Sequence, residues 1–358
     1  MATIIVQARK GQALQSDYFG LLLMGDLRRA ALAGSVPLTQ IDATLASPIP
    51  QARSNDGNNF EIEVFRSADD DAVMSHMCAN SLTLAEMCDR ARGEEMAKSG
   101  LLWVCPGCNT ATVPGAKAKG GDYKPKSCPG CELKLTAGNV GVRNLVVSAK
   151  PEDRPTALFI DGDDINHRYQ VVTPTRFLLL DEPHWTYKPA ELYASPKLLI
   201  RQAGVGVWAI LDETDARCPQ SVYLYRLKKQ RTDEGYDPRY VLACLLSRTM
   251  AYYSVKRFGE GDPAKAHVKL THARLEDFPI PRVDFADAVQ RKQHDSIAQN
   301  VELMLKGTAS AKGAEDYAVE VALRSLWGLG PEEGLRVNEQ LKLLPPSQLL
   351  AEMFDNSD

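Results

Sequence analysis

Two identical Cys-Pro-Gly-Cys tetrads are the residues whose types and spacing most clearly indicate chemistry in this sequence. They pair Cys105 with Cys108 and Cys128 with Cys131, in a chain of eight cysteines. A Pro-Gly gap lets both sulfurs of a tetrad face one point, because glycine permits the dihedral angles that such a turn needs. Two such turns can converge on one tetrahedral zinc ion, with Zn–S bonds of about 2.3 Å. The pattern predicts one structural zinc ion in a ribbon over residues 101–135.

Other roles for the four cysteines fit this segment less well. A thioredoxin-like redox centre uses one Cys-x-x-Cys at a strand-to-helix turn, whereas this loop has two copies among Gly, Lys and Pro. A catalytic zinc ion keeps an open coordination position, which four thiolates do not leave. An iron–sulfur cluster can also take four cysteines and is the alternative occupant.

Sequence motifs of the common catalytic centres are missing from the chain. There is no Gly-x-x-x-x-Gly-Lys-Ser/Thr, Gly-x-Gly-x-x-Gly, Gly-x-Ser-x-Gly or His-Glu-x-x-His, and the six histidines are isolated. Asp161, Asp163 and Asp164 imitate a metal site, but no Glu-x-Lys pattern follows them. We interpret these three carboxylates as part of a turn between strands.

The composition is that of an ordinary soluble protein with two or three domains. The chain has 358 residues, of which 44% are hydrophobic and 25% charged, with a net charge of −4. No apolar run long enough for a membrane span and no signal peptide are visible. Four cysteines lie in two tight pairs and the other four are scattered, which argues against a disulfide framework and indicates a reducing cytoplasm. Residues 88–150 and 197–282 are each net positive, which is compatible with a local polyanion-binding surface.

The sequence pattern of the segments that must position the cysteines predicts an α+β fold. Short apolar and β-branched runs separated by Pro, Gly, Asp and Asn indicate a β-rich domain after the ribbon, and helical spacing follows from residue 238. We predict three regions: an N-terminal segment (1–80), a β-rich domain with the inserted ribbon (81–282), and a C-terminal helical docking or spacer region (283–358). Ordinary core packing is the alternative for those last helices.

Several segments in order resemble the TaqI-like specificity domain, the target-recognition domain of type I and type IIG N6-adenine DNA methyltransferases. LFIDGDDINHRY is similar to the family's Gly-Asp-Asp-Ile-x-Arg-Tyr segment, and ELYASPKLLIRQAG to its Pro-Lys-Ile-Leu-x-Arg strand. DPRYVLACLLSRTM resembles its Leu-Leu-x-x-Leu-Asn-Ser helix but has Ser247-Arg248 where Asn-Ser is frequent. ARLEDFPIPRV and EDYAVEVALRSLWGLGPEEG resemble its Ile-Pro-Ile-Pro stop and its closing helix. The resemblance covers roughly residues 84–335.

The resemblance implies a DNA-sequence specificity subunit that is not catalytic alone. ATIIVQARKG is similar to the last strand of such methyltransferases' catalytic domains, yet the chain has no Asn-Pro-Pro-Tyr or Asp-Pro-Pro-Tyr and no glycine-rich S-adenosylmethionine motif. The expected partners are double-stranded DNA and a separate N6-adenine methyltransferase chain, which alone would bind S-adenosylmethionine. The expected setting is restriction–modification or phage defence. The alternative is a zinc-ribbon adaptor that binds protein or RNA without reading DNA sequence.

Basic residues near the predicted strands and in the ribbon loop are the candidates for phosphate contacts. Phosphate contacts position a DNA-binding protein, and base edges are read by other side chains. The candidates are Lys197, Arg201, Lys228, Lys229, Arg231, Lys124 and Lys126.

Overall fold

The protein is described from a computed structural model, which covers residues 17–21, 46–50, 68–118, 120–204, 206–258, 269–343 and 354. The strand predicted in the first ten residues, and with it the resemblance to a methyltransferase catalytic domain, lies outside the described residues. No helix of the described part is both long enough and apolar enough to cross a bilayer.

Among the described residues, most strands follow one another between residues 81 and 227, and helices predominate from residue 229 onward. The strands are β1 (Asp17–Leu21), β2 (Ala46–Pro50), β3 (Ser81–Thr83), β4 (Cys88–Arg92), β5 (Leu101–Val104), β6 (Ala111–Thr112), β7 (Lys126–Ser127), β8 (Lys134–Leu135), β9 (Gly141–Asn144), β10 (Val146–Val147), β11 (Thr156–Phe159), β12 (Arg176–Leu179), β13 (Lys197–Arg201), β14 (Ala209–Asp212), β15 (Val222–Leu227) and β16 (Pro279–Pro281). The helices are α1 (Ala68–Ala79), α2 (Leu84–Met87), α3 (Lys229–Glu234), α4 (Pro238–Leu246), α5 (Arg248–Phe258), α6 (His272–Glu276), α7 (Ala288–Leu305), α8 (Ala314–Leu326) and α9 (Pro331–Leu343). This mixture of sheet and helix confirms the predicted α+β class.

An antiparallel sheet in the order β14-β13-β15-β4 organises the domain. Its middle strands read as nearly continuous apolar runs because both faces of the sheet are covered. Leu198 and Tyr225 face the main core, whereas Leu199 and Leu224 face a second core that contains Ile160. Strand β4 is the edge of this sheet, so one side of its backbone carries no neighbouring strand of the sheet.

The main core continues from the sheet into the C-terminal helices. Residues 240–246 of α4 are all buried, so this helix needs apolar partners on all sides. The sheet covers one side, and α7 packs along the other with Ile297 and Val301. The indole Nε1 of Trp327 donates to the Pro279 carbonyl oxygen at 3.1 Å. The boundary predicted at 282/283 therefore does not separate two cores, and these helices are packed against the domain.

The helical spacing that begins at residue 238 belongs to two helices, which the junction between α4 and α5 separates. Ser247 is extended, and its hydroxyl accepts a hydrogen bond from the Met250 amide at 2.9 Å, which caps α5. From α8, the Glu320 carboxylate accepts from the amides of Arg248 and Thr249 at 2.8 and 3.0 Å. A carboxylate at a helix N-terminus is favourable because amide donors there lack partners within the helix.

The cysteine ribbon (residues 101–135) leaves the sheet through the end of β4. Gly93 follows that strand, and a Cβ atom there would overlap the carbonyl oxygens of Cys218 and Pro219. Small sheets in the orders β6-β5-β9 and β7-β8 build the ribbon, and a third, β10-β12-β11, supports it. Leu102, Phe159 and Leu178 share a separate small core at this support. The ribbon is thus attached next to one end of the large sheet.

Candidate metal centre and nucleic-acid interface

The four tetrad cysteines converge to one point. Their sulfur atoms all lie within 4.8 Å of one another. The Sγ atoms of Cys105 and Cys131 are 3.5 Å apart, as are those of Cys108 and Cys128. A tetrahedron of 2.3 Å bonds places neighbouring sulfurs about 3.8 Å apart. The four cysteines can therefore hold one metal ion with little rearrangement.

Each tetrad forms the same turn around its first cysteine. The Gly107 amide donates to Cys105 Sγ at 3.4 Å, and the Asn109 amide donates to the Cys105 carbonyl oxygen at 2.9 Å. Asn109 has φ of 58°, a left-handed conformation that closes the turn. The second tetrad repeats these contacts through Cys128, Gly130 and Glu132, with distances of 3.4 and 3.0 Å and φ of 60° at Glu132. Amide donors aimed at a sulfur stabilise its thiolate form, which is the form that binds metal.

The ribbon has little apolar core around this centre. Trp103 and Leu135 are buried beside Cys105 and Cys128. The Tyr123 ring meets Trp103 edge-on at 5.7 Å between centroids. The hydroxyl and backbone of Thr110 lower the pKa of the Cys108 thiol to about 6. So small a cluster provides little hydrophobic stabilisation, and a bound ion would add to it.

Of the two ribbon lysines predicted to contact phosphate, one is available and one supports the ribbon. Lys124 is exposed. The Lys126 ammonium donates to the Thr112 hydroxyl at 2.9 Å and to the Val113 carbonyl oxygen at 3.1 Å. Lys126 therefore joins β7 to the segment after β6, and of the two only Lys124 presents its charge freely to solvent.

Lys197 does not fit its predicted role as a phosphate contact. Its side chain is 1% exposed and forms an ion pair with Asp212, which lies opposite it in the register of β13 and β14. The same ammonium donates to the carbonyl oxygens of Tyr193 and Thr214, each at 2.7 Å. Three acceptors satisfy its three donors, so Lys197 has a structural role in the sheet.

The remaining predicted contacts lie at two opposite ends of the sheet. Arg201 ends β13, whereas Lys228, Lys229 and Arg231 follow the far end of the antiparallel β15. Carboxylates of the same short helix already pair with two of these cations: Lys229 lies 3.0 Å from Asp233 and Arg231 lies 2.7 Å from Glu234. The Lys228 ammonium donates to a backbone carbonyl oxygen, that of Ala85, at 2.6 Å. This end of the sheet is rich in basic residues, but neighbouring carboxylates neutralise most of their charge.

Two arginines of β4 were missed by the sequence reasoning. In the segment Cys-Asp-Arg-Ala-Arg, Arg90 and Arg92 alternate with inward-facing Ala91, and both point to one face of the edge strand. His272 of α6 lies beside them, with its ring 3.8 Å from that of Tyr223 between centroids. Burial, followed by the charges of Arg90 and Arg92, lowers the pKa of His272 to about 4, so its ring is neutral near pH 7. The alternation itself was the signal that could have identified these arginines.

The Asp161 turn is as predicted from the sequence. Asp161 Oδ1 accepts from the Asp163 amide at 2.6 Å, and Asp164 Oδ2 accepts from the Asp161 amide at 2.8 Å. Arg176 pairs with Asp161 at 2.5 Å and also contacts Asp164. The carboxylates close a turn and bind an arginine of the adjacent strand β12.

Comparisons with known proteins address the strands that surround these sites. Residues 157–280 match the family model of the TaqI-like C-terminal specificity domain. The match begins within β11 and ends within β16. No curated protein matches the chain significantly. Among solved structures, the type IIG restriction endonuclease BpuSI aligns with a TM-score of 0.40 and 12% identity, over 96% of this chain and 40% of that enzyme. The chain thus spans less than half the length of BpuSI.

Proposed function

We propose that this chain recognises DNA sequence and directs a separate N6-adenine DNA methyltransferase. The observation that carries the proposal is the match of residues 157–280 to a specificity-domain family. That segment includes three of the four strands of the large sheet and the helices α3 to α6. In this proposal the chain supplies recognition, and the partner chain binds S-adenosylmethionine and transfers the methyl group.

The ribbon is proposed to hold one structural zinc ion through Cys105, Cys108, Cys128 and Cys131. Sulfur separations near those of a tetrahedral site and paired N–H···S contacts support this occupant. An ion would fix the ribbon against the β4 end of the sheet and present Lys124 to solvent. The buried, widely separated thiols of Cys88, Cys218 and Cys244 support a reducing location such as the cytoplasm.

Two experiments in sequence test the recognition role. A pool of random DNA duplexes is first selected on the purified chain, and enrichment of one sequence is the expected result. Binding without preference, or preference for RNA or protein, would instead favour the zinc-ribbon adaptor. The N6-adenine methyltransferase encoded nearest to this chain is then assayed with and without it. If that enzyme methylates the enriched sites equally well alone, the directing role is wrong.

A setting in restriction–modification or phage defence follows from the same proposal. Methylation of a defined sequence marks host DNA, and its loss would expose host DNA to a matched nuclease. Deleting the gene for this chain should therefore remove adenine methylation at the enriched sites, which sequencing of modified bases measures directly.

A further inference from the structure

The face of the edge strand β4 that carries Arg90 and Arg92 concentrates positive charge. Arg92 is exposed, and the Arg90 side chain is 52% exposed although it pairs with Glu276. Side chains two residues apart on a strand lie about 6.6 Å apart along it. Two guanidinium groups therefore lie on one face, and a ligand can reach each of them separately.

The segment before helix α6 extends this charge beyond the strand. Lys269 is exposed, and its backbone forms an isolated β-bridge with that of Ala203, which lies just after the end of β13. We call Arg90, Arg92 and Lys269 the arginine face.

Fixed neighbours hold the arginine face in place. His272 stacks on Tyr223, and its Nδ1 lies 3.1 Å from the Tyr225 hydroxyl oxygen. Tyr223 and Tyr225 lie opposite Arg92 and Arg90 in the register of β15 and β4, so the arginines share a sheet face with buried rings. A backbone held by this packing reduces the conformational entropy that is lost when the arginines bind a ligand.

The charge balance of this face differs from that of helix α3. Among the described residues, Glu276 pairs with one of the three cations of this face. On α3 and its cap, two carboxylates pair with two of the three cations. A polyanion would have to displace carboxylates on α3, whereas on the arginine face most of the charge is available.

We propose that the arginine face binds the phosphate backbone of duplex DNA, in place of the Lys228–Arg231 region. This inference rests on the proposed DNA-recognition function and identifies the surface that performs it. Guanidinium groups bind phosphate oxygens in pairs through their forked N–H donors. The face also lies at the end of the sheet from which the ribbon leaves, so a duplex placed there can contact both.

The test compares the salt dependence of binding to the enriched duplex in two double variants that each remove two cations. Each phosphate contact contributes a slope of about −0.9 to log K against log salt. R90A/R92A should make this negative slope shallower by about 1.8, which corresponds to roughly 60-fold weaker binding at 0.1 M salt. K229A/R231A should leave the slope unchanged. R90K/R92K keeps the charges and should retain most of the slope.

The outcomes separate the two proposals. If the wild-type chain binds no duplex, the proposed function is wrong and the arginine face has no role in it. If the wild type binds but R90A/R92A keeps its slope, or K229A/R231A loses it, only the assignment of the surface is wrong. Stronger binding of single-stranded RNA than of duplex DNA, with loss of that binding in R90A/R92A, would also overturn the assignment. Thermal unfolding of each variant shows that the fold is kept.

Discussion

Replacing Asp316 by asparagine should destabilise the whole domain, because this buried carboxylate pairs with the buried guanidinium of Arg168 and with the partly exposed guanidinium of Arg248. Asp316 is 1% exposed and accepts two hydrogen bonds from Arg168, at 3.0 and 2.6 Å, and one from Arg248 at 3.0 Å. Arg168 also donates to the carbonyl oxygens of Leu246 and Ala311, at 3.0 and 3.1 Å. The network joins the segment before β12, the α4–α5 junction and α8.

Removing one partner of a buried ion pair costs about 3–5 kcal/mol, because the other charge is left buried and unpaired. Asparagine keeps one acceptor oxygen, so we expect D316N to lower the free energy of unfolding by about 3 kcal/mol. With a urea dependence of about 2 kcal/mol per M, the unfolding midpoint should fall by about 1.5 M. Circular dichroism during urea titration measures this shift.

D233N is the matched control, because Asp233 pairs with exposed Lys229 and such surface pairs contribute less than about 1 kcal/mol. The double variant R168M/D316L removes both charges of the buried pair and should be more stable than D316N. If the midpoint of D316N falls no further than that of D233N, the buried network does not join these elements as argued.

Two further predictions concern the ribbon and the histidine of the arginine face. C105S should reduce bound zinc from about one ion per chain to a small fraction, and should expose Trp103 to quenchers of its fluorescence; a variant that retains stoichiometric zinc would contradict the four-cysteine site. The pKa of His272 is about 4 in the folded chain and ordinarily about 6.5, so the unfolded chain binds the proton more readily and stability is lost as the pH falls through that interval. H272Q should therefore lose less stability than the wild type between pH 7 and pH 5, as thermal midpoints measure, and equal losses would refute the shift.

The cysteine centre and the strand positions could be predicted from the sequence because local patterns determine them. A Cys-x-x-Cys tetrad places two sulfurs within one turn, and apolar runs bounded by Pro and Gly correspond to β13, β14 and β15. The break at Ser247 was less accessible, since the apolar spacing continues across it. Its cap depends on Glu320, which lies 71 residues further along the chain from Thr249.

The role of each charge could not be predicted, because strand register and distant partners decide it. Lys197 is buried by its pairing with Asp212 across two strands, and a lysine at the start of an apolar strand does not reveal such a partner. Arg90 and Arg92 lie in the other net-positive segment, 88–150, and their alternation with Ala91 places them on one face. Their exposure and their neighbour Glu276 depend on the edge position of β4 beside α6, which the sequence does not reveal.

The excess of basic residues over 197–282 is partly internal to the fold. Arg217 pairs with Glu94, Lys256 with Asp70, and Arg248 with Asp316, and each of these carboxylates lies outside the segment. Those cations are bound to the protein itself and cannot attract DNA at full strength. A charge count over a window therefore adds structural ion pairs to available charge, and only the pairing seen in the fold separates them. On that basis the β4–α6 side of the sheet, with three cations and one paired carboxylate, is a stronger candidate for DNA contact than the α3 end.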